Sequence, residues 1–424
     1  MLEFKNPVLK PFIVLIFAFS FNDALSTPLF NGIPVTPVQI AVLYGIYYTL
    51  SWKVSFVNIE INDLKKSIGL YYLVLVTSTI YMSSSGLNLS FLTVGFNVLW
   101  FFRMLPFLSY GFLNQGDIDK FLRLFLKIIV FITVPSGLYE LITHTHILSF
   151  SADLEKDIFY LQGFHSDKLE FASMLATGCF ISLSNIFKDG EKVDDRFNKV
   201  AFFLCAFLIL FSFSTTSILG MCAGIAVIMM YKSVKTLVYI PVLALLGFGV
   251  VYFIKDSNIY KQQTSAYELK YSLNVDKYEE RNFRYMALEA AAEKIVEAPI
   301  FGYGVGQSGY LIQEHLKLNK VINSHNFFAN ELLDYGLIGF SMLFIFLWQL
   351  YRLLLKIPNS IVVQYASFDV IHKVTLALAA FMPFRFFLYY HRFDQTYYFI
   401  WASLIVICYG TLSTGWQEAD QEII

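Results

Sequence analysis

Apolar residues run along this chain in long stretches separated by short polar patches, instead of alternating with polar positions as on a strand or a surface helix. Each stretch holds roughly 18 to 25 residues, which at about 1.5 Å per helical residue matches a hydrocarbon layer of about 30 Å. The pattern predicts spans near residues 8–22, 36–55, 67–84, 90–110, 121–140, 168–187, 199–213, 215–231, 236–254, 327–350, 371–389 and 395–413. The closely spaced seventh and eighth can also be read as one hydrophobic hairpin turning at Ser212 to Thr216. The fold class expected is an all-α polytopic membrane protein of about twelve transmembrane helices. Three sections follow: helices 1 to 9 over residues 1–254, a large extracytoplasmic loop over 255–326, and helices 10 to 12 with a tail over 327–424.

Composition sharpens this reading. The chain of 424 residues is 57% hydrophobic and 15% charged, against about 25% charged in an ordinary soluble domain, so a soluble globule is excluded. A net charge of −1 provides no basic field for nucleic acid. Cys179, Cys205, Cys222 and Cys408 lie inside apolar runs without CxxC spacing, which fits packing better than a metal site or a disulfide framework.

Orientation follows from where Lys and Arg fall. With the N-terminus inside, eighteen of them lie at cytoplasmic ends, from Lys5 and Lys10 through Lys188 and Lys232 to Lys373. The short outer loops hold only Lys156, Lys168, Arg385 and Arg392. The other nine sit in the long loop, and long loops are translocated largely regardless of charge. Both termini are therefore expected in the cytoplasm and the large loop outside. Lys5 and Lys10, followed by an apolar stretch and Ala24-Leu25-Ser26, resemble a cleavable signal peptide, but eleven further spans favour a retained signal anchor.

The long loop carries a predicted amphipathic helix from Glu280 to Glu297, with Phe283, Ala287, Leu288, Ala291 and Ile295 at helical spacing and Pro299 as its stop. Arg281 and Arg284 share a face with Leu288, and guanidinium groups clamp phosphate oxygens well. On the residues alone, a solvated basic turn paired with Glu279 and Glu280 is the favoured reading. Gly302, Gly304 and Gly306 then require a tight turn or a close backbone approach. Ser324-His325-Asn326 follows where the loop re-enters the membrane, ahead of Gly336-Leu337-Ile338-Gly339. A partly desolvated His325 suits general acid or base work on a lipid-linked substrate. The plainer alternative is that His325-Asn326 caps the helix while Gly336 and Gly339 permit close packing. Arg385, between two phenylalanines at the outer end of the eleventh span, either snorkels or faces an anion. His165 reads as a surface residue.

Other matches carry little. Gly304-Val305-Gly306-Gln307-Ser308-Gly309 fits GxGxxG without a βαβ context. Asp117-Ile118-Asp119 sits in a short cytoplasmic turn, His144-Thr145-His146 has no third ligand nearby, and Gly220 with Gly224 is a helix-packing pair.

The run Arg281-Asn-Phe-Arg284-Tyr-Met-Ala-Leu288, then Pro299-Ile-Phe-Gly302-Tyr-Gly304-Val-Gly306, then His325-Asn326 with nine residues before Gly336-x-x-Gly339 resembles the O-antigen ligase and O-antigen polymerase superfamily. Twelve spans with the large loop between the ninth and tenth resemble it too. The resemblance implies a metal-independent, cofactor-free glycosyltransferase of the GT-C type in the bacterial inner membrane, using an undecaprenyl-pyrophosphate-linked oligosaccharide at the periplasmic face. It implies His325 as the group that helps deprotonate the acceptor hydroxyl. It further implies Arg281, Arg284, Arg385 and Asn326 as pyrophosphate or substrate contacts, and a flippase or chain-length regulator as partner proteins. Family members often carry an arginine in a turn between the seventh and eighth spans. Here that turn reads Phe211-Ser212-Phe213-Ser214-Thr215-Thr216-Ser217, and the arginine is absent.

That absence favours polymerase, which joins lipid-linked repeats, over ligase, which moves the finished chain onto lipid A core. A lipid-linked oligosaccharide flippase is the competing class, though few charges lie mid-span and no related halves are visible. The charge bias makes one direct prediction. A reporter active only in the cytoplasm should work after Gly190 and at the C-terminus but not after Thr264, and activity after Thr264 would invert the topology.

Overall fold

The computed structural model describes residues 9–21, 27–29, 33–35, isolated helical positions between 37 and 80, 115–148, 160–165, 168–188, 195–212, 214–232, 279–304, 307–318, 324, 326–355 and 366–388. The spans expected at 90–110, 236–254 and 395–413, and most of those at 36–55 and 67–84, lie outside the described residues.

Helix α1 covers Leu9–Ser20, and a short antiparallel hairpin follows, β1 (Thr27–Leu29) with β2 (Ile33–Val35). Among the described residues this hairpin is a small addition to an otherwise helical fold, as expected of the all-α class. β-branched Thr27, Ile33 and Val35 favour extended backbone, and Pro28 and Pro34, which have no N–H to donate, face each other across the pair. Helix α2 runs from Gln115 to Ile128, widens into a π turn over Ile129–Thr133 and continues over Val134–Thr143. Pro135 explains the widening, because it cannot donate the amide that an α-helical ladder would require one turn earlier. The remaining bundle helices are α3 (Lys168–Ile186), α4 (Asp195–Phe211) and α5 (Thr215–Lys232). The seventh and eighth expected spans are thus two helices joined by a brief turn.

Helix α3 is the centre, buried from Leu169 to Ser184. Its hydroxyls are tolerated there because they bond back to their own helix: Ser173 donates to the Leu169 carbonyl at 2.7 Å and Thr177 to the Ser173 carbonyl at 3.0 Å. Cys179 and Cys205 are buried free thiols between α3 and α4. Helix α9 (Ala366–Leu388) packs along α5, where a Cβ on Gly220 would lie 2.6 Å from the Phe381 ring and one on Gly224 would lie 3.0 Å from the Ala377 carbonyl oxygen. The two glycines therefore do pack helices, as the small-xxx-small spacing indicates.

The outer surface of this bundle is apolar. Phe131, Ile142, Val200 and Phe203 are all exposed, where a soluble protein would present charge. Among the described residues, Asp119–Thr143, Lys168–Ile186 and Phe327–Leu355 are long and apolar enough to cross a membrane. The chain is a membrane protein.

Polar contacts gather at the two ends. At one, Lys188 pairs with Asp119 at 3.3 Å, Asn185 donates to Asn198 at 3.3 Å, and His372 lies 3.3 Å from the Tyr231 hydroxyl. Asp119 of the DxD sequence is thus occupied by an ion pair. At the other end, the Leu161 amide donates to the Phe211 carbonyl at 3.3 Å. The ends that charge bias assigns to one side thus meet at one end of the bundle.

Glu140 organises that second end. Fully buried, its carboxylate accepts the amides of Ile147 (3.0 Å), Gln162 (2.8 Å) and Gly163 (2.8 Å), fastening both limbs of the loop between α2 and α3. His146 stands 3.6 Å from the same carboxylate. His165 is also here, and the expectation that it lies on the surface is wrong: it is buried between Phe19 and Phe171, 3.7 Å from the Glu170 carboxylate. Local sequence shows a polar loop, and only the tertiary return of α1 covers it.

Candidate functional site

The long loop's helix forms as expected. Helix α6 covers Glu279–Glu297, one residue longer than its periodicity indicated. Ala287, Ala290 and Ala291 are buried, and this small-residue face packs against α8 (Phe327–Leu355). Leu288, expected on the inner face, is exposed, because the alanine line and not the leucine line allows the close approach. Position 284 falls three before Ala287 and seven before Ala291, at the border of the packed arc, while position 281 lies one step further out. The side chains of Arg281, Arg284 and Arg385, and the whole of His325 and Gly306, lie outside the described residues.

Beyond Pro299 the chain meets α8 backbone to backbone. Gly336 has φ +62° and ψ −168°, so α8 breaks there into Phe327–Tyr335 and Leu337–Leu355. The expected tenth span over 327–350 is thus present as a helix kinked at Gly336. In an unbroken helix the amides of Leu337 and Ile338 would serve the carbonyls of Leu333 and Asp334. Here they donate instead to Pro299 (2.8 Å) and Ile300 (3.3 Å), and the vacated carbonyls accept from Tyr303 (2.8 Å) and Gly304 (2.7 Å). Four hydrogen bonds are exchanged between segments some thirty residues apart.

Only glycine fits at the crossing. A Cβ on Gly302 (φ +65°) would sit 2.6 Å from the Leu333 carbonyl oxygen and the Gly336 nitrogen, and one on Gly336 would overlap the Ile300 carbonyl. Gly304 also has positive φ, and a Cβ on Gly339 would press on Tyr335. The two glycine motifs therefore explain each other.

The crossing positions further polar groups. Buried Asp334 accepts the Ser308 amide at 2.7 Å and so caps α7 (Ser308–His315) from a distant element. Ile312 of α7, Leu333 of α8 and the α6 alanines close a small core. Buried Glu331 accepts the Tyr71 hydroxyl at 2.6 Å, with Tyr335 edge-on to the Tyr71 ring. At the rim, hydrogen bonds from Lys294 and Tyr303 hold the Glu297 carboxyl below its usual range, and burial together with Glu297 pushes Tyr303 up to about 12.

The N-terminus of α8 is built from neutral side chains. Asn326 Oδ1 accepts the Ala329 amide at 3.1 Å and the Asn326 carbonyl accepts the Asn330 amide at 3.1 Å, which is an N-cap. Ser324 Oγ accepts the Asn326 amide at 3.2 Å, and the Ser324 amide donates to Asn330 Oδ1 at 3.4 Å. Asn330 is fully buried, and its Nδ2 has no hydrogen-bond partner among the described residues. Leaving such a donor unmet costs about 1–3 kcal/mol. Sequence reasoning passed over Asn330, although its position four residues after Asn326 places both on one line of the helix.

Arg385 belongs to a different pair of helices. The antiparallel contacts Gly224–Ala377 and Gly220–Phe381 bring position 385 of α9 level with position 216 of α5. The first turn of α5 is rich in hydroxyls: Ser214 Oγ accepts the Ser217 amide at 3.2 Å and donates to Ser217 Oγ at 2.7 Å, with Thr216 Oγ1 at 3.1 Å. This is the turn that lacks the family's arginine. Among the described residues no three metal-ligating side chains come together.

Residues 200–344 match the family model described as O-antigen ligase, a stretch that takes in α4, α5 and the glycine crossing through the first turns beyond Gly339. The match supports the motif resemblance to the O-antigen ligase and polymerase superfamily over about a third of the chain, and members of the matched family are glycosyltransferase-like enzymes. No curated protein matches the chain.

The crossing yields a stability prediction. An L residue in left-handed backbone costs about 1–2 kcal/mol before any overlap. Gly336→Ala and Gly302→Ala should therefore each lower the thermal melting point in detergent and expose residues 279–318 to protease. Unchanged melting and protease resistance would contradict the exchange.

Proposed function

We propose that the chain is a surface-polysaccharide polymerase that joins undecaprenyl-pyrophosphate-linked repeat units at the periplasmic face of the bacterial inner membrane. What supports this most directly is the glycine crossing. It assembles the α6 segment, the Pro299–Gly304 segment and the N-terminus of α8 into one unit, and the family match covers that unit.

In this reading His325 takes the acceptor hydroxyl proton as the glycosidic bond forms. Arg284, Arg281 and Arg385 meet the departing pyrophosphate, with Asn326 holding the turn that carries His325. A diphosphate leaving group needs charge stabilisation more than protonation, and guanidinium groups supply it in a partly dry site. The level placement of positions 385 and 216 favours Arg385 as the cation that serves the hydroxyl-rich turn. A donor already activated on lipid removes the need for a nucleotide-sugar domain, for a metal and for a cofactor. The substrate's polyprenyl chain makes membrane lipid the surrounding medium, and a flippase and a chain-length regulator are the partner proteins expected.

The description of the matched family favours a second reading, ligase, which breaks the same sugar–pyrophosphate bond and delivers the glycan to lipid A core. Two experiments test the proposal. His325→Ala should abolish long-chain glycan at near-normal protein level, since an interfacial cap contributes only about 1 kcal/mol; full-length polymer in that mutant would remove His325 from the chemistry. Deleting the gene should leave lipid A core carrying a single repeat. Bare core with polymer retained on undecaprenyl pyrophosphate would establish ligase instead.

A further inference from the structure

Helix α6 carries three faces. Ala287, Ala290 and Ala291 are buried in the contact with α8. Glu289, Glu293 and Glu297, four residues apart, form an exposed acidic line on the side where Glu293 meets His315 of α7 at 3.3 Å. Between these two arcs lies a third. Tyr285, Leu288, Ala292 and Val296 follow one another at steps of three and four residues, so they make a single stripe, and all are exposed, Val296 at 78%. The stripe does not end with the helix. Past Pro299, Ile300 is exposed too, and the carbonyls of these two residues accept the amides of Leu337 and Ile338, which sets the segment beside exposed Leu337. From Leu337 the exposed side of α8 continues through Phe344 and Trp348, along one face of a span long and apolar enough to cross a membrane.

We infer that this stripe of α6 rests on the bilayer at the loop side of the membrane, with Tyr285, Leu288, Val296 and Ile300 in the boundary between headgroups and acyl chains. The occupant follows from continuity. Leu337, Phe344 and Trp348 are exposed on a membrane span, where the solvent is lipid, and the α6 stripe prolongs that surface through Ile300. A helix lying in this boundary buries its apolar face by about 5–10 Å. Tyr285 suits that level, because its ring is apolar and its hydroxyl reaches water. The described charges on the far edge of the stripe are Glu289, Glu293 and Glu297, so anionic headgroups supply no attraction and the contact is an apolar one. The bilayer then holds α6 from one side while the backbone exchange holds the segment after it from the other, which fixes the depth of the glycine crossing. This docking stands apart from the reaction assigned to the chain.

The test uses the full-length protein in nanodiscs of zwitterionic phospholipid, plain or brominated on the acyl chain near the headgroup. Val296→Trp and Leu288→Trp place a fluorophore on the stripe, and Glu289→Trp places one on the acidic line. The five native tryptophans are common to all samples, so the emission added by each variant is read by difference from the parent. Both positions are exposed, and thermal melting identifies a stripe variant that has lost its fold, leaving the other to decide. The added emission at 296 and 288 should fall by about half in brominated lipid, as expected of a side chain at the headgroup and acyl boundary, while that at 289 is unchanged. Adding anionic phospholipid should leave the quenching where it was. Emission at 296 and 288 that bromine spares and aqueous acrylamide quenches as strongly as at 289 would place the stripe in water. Emission spared by both quenchers would mean that protein covers it, and quenching seen only with anionic lipid would make the contact electrostatic. Each of these three results overturns the inference.

Discussion

Everything on the loop side of this molecule depends on four exchanged backbone hydrogen bonds. A helix broken near a membrane surface frees amides and carbonyls that lipid cannot satisfy. The Pro299–Gly304 segment meets that demand by presenting two carbonyls and two amides to the gap at Gly336. The loop and the membrane helix therefore cannot fold independently, despite a loop long enough to look like a separate unit. Asp334 extends the dependence, since the residue whose carbonyl is vacated by the break also starts α7 through its side chain.

The bundle follows a complementary rule. Its middle is made of Leu, Phe, Ala and small residues, with hydroxyls turned back on their own helix. The described polar contacts gather at the ends: Asp119 pairs with Lys188 at one, and Glu140 accepts three amides at the other. Ion pairs in such a setting do more to fix which ends meet than to stabilise the fold, because desolvation offsets much of their attraction. The contact between Leu161 and Phe211 carries that arrangement to the turn before α5, beside the level that position 385 reaches.

Much of this was legible in sequence because it is local. Hydropathy alone located α1, α3, α4, α5 and α9 to within a few residues, and 3.6-residue periodicity with a proline stop placed α6 almost to the residue. The glycine motifs were legible as places needing unusual backbone, but not as two halves of one crossing, since no local signal says that Gly302 meets Gly336. Burial of His165 was invisible for the same reason: α1 covers it from far along the chain. The π turn needed only Pro135, and periodicity does not register a single widened turn. The unmet Asn330 donor follows from the accounting of partners, which a sequence cannot supply.

On the proposed reading, the site divides its labour between two kinds of polar group. The sequence places arginines on α6, which packs against α8, and near the end of α9, whereas the described residues of the α8 terminus are neutral donors and acceptors. The two halves of glycosyl transfer ask for that difference. A pyrophosphate carries its charge before and after the reaction and is held best by fixed cations, while an attacking hydroxyl gives up its proton only as the new bond forms. A rigid turn is then required, because a proton acceptor that drifts loses its advantage. The glycine crossing provides that rigidity where a loop entering a membrane would otherwise provide least.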